Sequence, residues 1–225
     1  MWKSIVLDAV VVAIIVISTI VSAKRGFVKS LISSAWLIIS IVGGIILRPI
    51  FFAIYKSMGL LDKITAGISK EALKISQNMD VSDVDGLLAE MKIPENIQKK
   101  ILEKIGDSST MTLETFSGKV GETLGRFTVN AMAFLTGFAI VAIVIVIIML
   151  ISKAVLKMSP LGGVDRFFGA LLGIVISWTV IYLICVAVFA LAGAGHLKGF
   201  AEVIANSKIT YFIYRFNPVT LLILR

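Results

Sequence analysis

Two acidic side chains beside apolar runs are the residues of this 225-residue chain most able to do chemistry. Asp8 lies about one turn inside the first apolar run, where an intramembrane carboxylate could serve a proton or ion pathway. The alternative is structural, because an acid near a helix start reaches headgroup water and favours the helix dipole. Asp165 precedes another apolar run with Arg166. This pair is either a helix cap with a headgroup anchor, or a buried group paired with the Lys24-Arg25 turn.

The other reactive side chains do not form a site. His196 is the single histidine and has no ligand partners nearby in the sequence, so we expect no metal role. Cys185 is the single cysteine and lies in an apolar run, where a protonated thiol packs without reacting. No GxGxxG, P-loop, HExxH or CxxC motif occurs. We therefore predict a protein that is not an enzyme, with no catalytic residues, no cofactor and no metal.

The composition is that of a membrane protein. Hydrophobic residues make up 58% of the chain and charged residues only 16%, whereas soluble domains average about 45–50% and about 25%. Residues 48–126 contain eleven basic and eleven acidic residues, so the whole net charge of +8 lies beside the apolar runs. Cations in that position indicate membrane topology and headgroup contacts. Binding to the lipid bilayer is expected, and binding to nucleic acid is not.

Four apolar segments are long enough to cross a bilayer, which takes about 20 residues in a helix. They are Ile5–Ala23, Val28–Leu47, Phe127–Ile151 and Phe167–Ala192. Backbone groups in hydrocarbon must be satisfied internally, so each segment is predicted to be helical. The predicted fold is all-α: a polytopic membrane protein with four transmembrane helices arranged as two hairpins. The "VSA" at residues 21–23 is similar to a signal-peptidase site, but the length of the run and Asp8 favour an uncleaved helix.

The two short connections between these segments are basic, which predicts their side of the membrane. Cytoplasmic loops carry an excess of Lys and Arg. The two connections hold six such cations: Lys24, Arg25, Lys29, Lys153, Lys157 and Arg166. We therefore place both connections in the cytoplasm, and the N-terminus, residues 48–126 and the C-terminus outside. Four cations in the C-terminal tail oppose this orientation: Lys198, Lys208, Arg215 and Arg225.

The segments divide the chain into four regions. Residues 1–47 form a first hairpin, 48–126 an extramembrane insert of amphipathic helices, 127–194 a second hairpin, and 195–225 an interfacial C-terminal segment. In the insert, a capping box at Ser82–Asp85 and Pro94 mark helix starts. An apolar stripe follows at Leu113, Phe116, Val120 and Leu124. The insert is either a small helical cap or a module that docks a partner.

Small residues recur four apart at the start of two of the helices. Gly26, Ser30 and Ser34 precede Trp36, and Gly169, Gly173 and Ser177 precede Trp178. Such stripes allow helix backbones to approach closely in membranes. The similarity is either a parallel internal repeat, as some transporters have, or chance, because glycine is common in membrane helices.

Two landmarks together give the chain a family resemblance. The order Asp8, Arg25, Gly26, Phe27 and Trp36 resembles the start of the bacterial colicin V production (CvpA) family. The later "LGGVDRFFGALLGIVISW", with Asp165, Arg166, Gly169 and Gly173, resembles the second landmark of that family. The resemblance covers roughly residues 1–45 and 160–220. Lys29 departs from the pattern, since the family often has an acid there.

The resemblance implies a multi-pass protein of the bacterial inner membrane linked to toxin production or export and to envelope homeostasis. Its expected partners are further copies of itself or proteins of the export or envelope machinery. Two other functions remain open from the residues. One is a small transporter or channel subunit that uses Asp8 and the repeated hairpins. The other is a membrane anchor for a partner docked on residues 48–126.

Overall fold

A computed structural model describes residues 2–76, 98–99, 102–103, 112–152, 162–194 and 196–215. Seven helices are named in these ranges: α1 (Trp2–Arg25), α2 (Phe27–Ser57), α3 (Leu60–Ser76), α4 (Leu113–Ser152), α5 (Gly163–Gly193), α6 (Lys198–Ala205) and α7 (Ile209–Arg215). The predicted all-α class is confirmed. The sequence signals at Ser82–Asp85 and Pro94, and the cations Lys153 and Lys157, lie outside the described residues.

Four of these helices, α1, α2, α4 and α5, are long and apolar enough to cross a membrane. Their outer faces remain apolar. Ile5, Ile17 and Ile46 are 63%, 61% and 64% exposed. Contiguous apolar surface of this extent is rare on soluble monomers and is what lipid-facing helices present. The prediction of four helices able to cross a membrane is therefore confirmed in the described residues.

The long helices pair across the sequence rather than with their chain neighbours. α1 packs mainly on α5, and α2 packs mainly on α4. α1 and α2 are joined at Gly26 but contact each other little along their lengths. The predicted arrangement as two hairpins is therefore not confirmed, because the turn at Gly26 connects two helices whose main packing partners lie in the other half of the chain.

Two helices extend beyond the segments predicted from hydropathy. α2 continues past Leu47 to Ser57, because Phe52 and Tyr55 still pack against the core. The Tyr55 hydroxyl forms a 2.7 Å hydrogen bond with Thr136 Oγ1 of α4. α4 has 40 residues, and at 1.5 Å per residue it is about 60 Å long, roughly twice the hydrocarbon thickness of a bilayer.

The charged first part of α4 pairs with α3. The two helices bury a common stripe: Leu61, Ile64, Ile68 and Ala72 of α3 against Phe116, Val120, Leu124 and Phe127 of α4. Gly121 and Gly125 lie against Ser69 and Thr65, which brings the backbones close. The predicted stripe is thus part of the third long helix. The side chain of Leu113 lies outside the described residues.

The C-terminal helices α6 and α7 pack against α1 and α5. Ile204, Ile213 and Tyr214 are buried there, and the Tyr214 ring stacks on Phe189 of α5 with centroids 4.7 Å apart. The Tyr214 side chain fills the interior of this contact. Burial raises the pKa of the Tyr214 hydroxyl well above its usual value, so this residue stays neutral. Residues 216–225 of the predicted interfacial segment lie outside the described residues.

Candidate functional site: carboxylates that cap neighbouring helices

Asp165 caps a helix other than its own. It lies in the first turn of α5, whose N-cap Gly162 makes no side-chain capping bond. The Phe27 backbone N–H of α2 donates to Asp165 Oδ1 at 2.9 Å, and the Val28 N–H approaches the same oxygen at 3.5 Å. A helix start leaves backbone N–H groups without partners, and a carboxylate there satisfies them and favours the dipole. Asp165 therefore fastens α5 to the start of α2, 138 residues away.

Gly26 makes this contact possible. Its φ of 82° lies in the region that favours glycine. A Cβ atom at this position would collide with the Asp165 carboxylate. The Arg-Gly-Phe sequence at residues 25–27 is thus a turn whose middle residue must lack a side chain. Phe27 then packs edge-on against Phe168 of α5, with centroids 6.1 Å apart and planes at 65°.

The small residues of α5 face α1. A Cβ added at Gly169 would lie 2.7 Å from the Ser22 carbonyl oxygen. A Cβ added at Gly173 would lie 2.8 Å from the Ser18 carbonyl oxygen. The Ser18 hydroxyl also donates to the Gly173 carbonyl at 3.0 Å. The six stripe residues are all buried: Gly26, Ser30, Ser34, Gly169, Gly173 and Ser177. We call the contact of Gly169 and Gly173 of α5 with Ser18 and Ser22 of α1 the small-residue seam.

Asp8 caps the last helix. Its Oδ1 accepts the Thr210 N–H at 2.9 Å and the Thr210 hydroxyl at 2.8 Å, and its Oδ2 accepts the Lys208 N–H at 2.9 Å. These groups form the start of α7. The hydrogen-bond donors to Asp8 are thus two backbone N–H groups and one hydroxyl. Thr210 was missed from the sequence. The signal that could have indicated a helix start there is Ser207, whose hydroxyl oxygen accepts the Tyr211 N–H at 3.1 Å.

Three further predicted residues are Trp36, Arg25 and Arg166. Trp36 is partly buried and packs against the core. Arg25 and Arg166 are exposed. Within the described ranges, no group of three or more His, Cys, Asp or Glu residues could hold a metal ion. Both carboxylates accept hydrogen bonds from helix starts, so their arrangement suits holding helices together rather than proton transfer.

A family model described as Colicin V production protein matches residues 108–218. The matched range is just under half of the 225-residue chain. The predicted resemblance is confirmed, with the matched range containing Asp165, Arg166, Gly169 and Gly173. The first landmark, from Asp8 to Trp36, lies before that range, but the Asp165 cap and the small-residue seam join it to the matched residues. With the four apolar helices, the match indicates a multi-pass membrane protein.

No curated protein and no solved structure matches the chain.

Proposed function

We propose that this protein acts in the bacterial cytoplasmic membrane, without catalysing a reaction, in toxin production or export and in envelope homeostasis. It does so by assembling with copies of itself or with export or envelope proteins. The family match over residues 108–218 carries this proposal. It is supported by the way polar groups are used, since Asp8, Asp165 and Ser18 all bind other helices.

A transporter or channel subunit is a weaker alternative. Such proteins carry polar residues along the middle of several membrane helices. Between Thr136 and Ser152 the sequence of α4 has no polar side chain. A path along this helix would have to be completed by several copies of the chain.

Complementation tests the proposed role. A toxin-producing strain that lacks the gene should regain secreted toxin activity and survival under envelope stress when the full chain is expressed. The control is the same strain with an empty vector. A full chain that inserts in the membrane at normal levels and restores neither property would contradict the proposal.

We further propose that the N-terminus, the 48–126 insert and the C-terminus lie outside the cytoplasm. The basic turn at Lys24, Arg25 and Lys29 supports this orientation.

Single cysteines in a Cys185→Ala background test the proposed orientation. A cysteine at Lys70, exposed on α3, should react with a membrane-impermeant maleimide in intact cells. A cysteine at Val164, 73% exposed near the opposite end of the bundle, should react only after lysis. The reverse pattern would invert the topology.

A further inference from the structure

A groove beside the turn at Gly26 combines positive charge with an apolar wall. It is lined by Lys24, Ile20 and Ala23 of α1 and by Arg166 of α5. Its volume of about 370 Å³ lies in the range of roughly 300–1,000 Å³ that small-molecule sites occupy. Neither the Lys24 nor the Arg166 side chain has a carboxylate partner within the described part of the chain. Two cations from different helices therefore face one space, and the nearby Asp165 carboxylate accepts the Phe27 N–H rather than binding either of them.

The position of the groove indicates what could fill it. It lies at the end of the small-residue seam, where both helices leave the apolar part of the bundle. Ile20 is exposed, and so is Ile17, which lies three residues before it on the same face of α1. A phosphate between the two cations would thus have an apolar track below it. Basic pockets between membrane helices bind anionic lipid headgroups.

We propose that this groove binds an anionic phospholipid, with its phosphate between Lys24 and Arg166 and an acyl chain along Ile20. The phosphate accepts hydrogen bonds from the ammonium and guanidinium groups, and the guanidinium can make two bonds at once. A zwitterionic lipid is disfavoured because its own ammonium group would approach the same two cations. A soluble phosphate would gain the charge contacts but not the apolar contact.

Native mass spectrometry of the purified full chain in a nonionic detergent tests the ligand. One molecule of dioleoyl phosphatidylglycerol should bind tightly to each chain. Dioleoyl phosphatidylcholine and sn-glycerol 3-phosphate should bind much more weakly. Equal binding of the two lipids would overturn the site as an anion site. Binding of glycerol phosphate as tight as that of phosphatidylglycerol would overturn its assignment to lipid.

Two sets of variants test the place of binding. K24Q/R166Q should weaken phosphatidylglycerol binding roughly 30-fold, which corresponds to about 2 kcal/mol for two cations. The control K3Q/K56Q removes the same charge near the opposite end of α1 and α2 and should bind as the parent does. I20W keeps both cations but fills the groove, and it should also weaken binding. Parent-like binding by K24Q/R166Q or I20W, or equal weakening in the control, would overturn the proposal.

Discussion

Asp8 and Asp165 have the same structural role at opposite ends of the bundle. Each is a carboxylate on one long helix that accepts backbone N–H groups at the start of another. Unpaired N–H groups are costly where water is scarce, so a side chain that satisfies them also fixes the position of the helix it caps. The sequence located both acids, but it could not supply their partners. Those partners are 138 and 202 residues away, and backbone groups leave no signature in composition.

Removing the Asp165 carboxylate should loosen the start of α2. Asp165→Ala leaves the Phe27 N–H without its acceptor, and loss of a capping side chain typically costs about 1 kcal/mol. Asp165→Asn retains an acceptor oxygen and should cost less. Thermal unfolding of the full chain in detergent, followed by circular dichroism, measures both. An alanine variant as stable as the parent would show that the cap contributes nothing.

Removing the Asp8 carboxylate should release α7. Asp8→Ala deprives the Lys208 and Thr210 amides of their acceptor, so these amides should exchange with deuterium roughly tenfold faster, equivalent to about 1.4 kcal/mol. Asp62→Ala is the control, because Asp62 is an exposed acid on α3. Its exchange pattern at residues 208–210 should match the parent. Unaltered exchange in Asp8→Ala would mean that α7 is held by apolar packing alone.

At the scale of the elements, the small-residue seam decides which helices meet. The spacing of Gly169, Gly173 and Ser177 predicted a close contact for α5, because small residues allow backbones to approach. It did not say which helix would approach. The structure shows α1, where Ser18 and Ser22 present carbonyl oxygens to the two glycines. The sequence analysis did not single out those serines, because a serine in an apolar helix does not indicate which helix packs against it.

A large side chain in the seam should separate α1 from α5. Gly173→Leu places its Cβ against the Ser18 carbonyl oxygen, and backbone cannot yield as a flexible side chain does. Overpacking typically costs about 1–3 kcal/mol, so the melting temperature in detergent should fall. Gly163→Leu is the matched control on the same helix, where nothing lies within 4 Å of a Cβ. Equal stability of the two variants would show that the seam tolerates the added volume.

At the scale of the molecule, hydropathy predicted the four membrane helices and missed what surrounds them. Lipid requires long apolar helices, so their number and approximate position follow from composition. α3 was missed as a separate helix, because its charged residues conceal a stripe that becomes apparent only beside α4. The continuation of α4 from Leu113 was missed for the same reason, since charges at Glu114, Lys119, Glu122 and Arg126 interrupt the apolar run.

Assembly with other chains is the property on which the proposed function depends most. Affinity capture of the intact protein in mild detergent, followed by measurement of the native mass, tests it directly. One chain has a mass of 24.3 kDa. We predict a larger species, either an integer multiple of that mass or a complex with a protein of the export or envelope machinery. A single 24.3 kDa chain, recovered from cells in which it supports toxin export, would contradict the proposal.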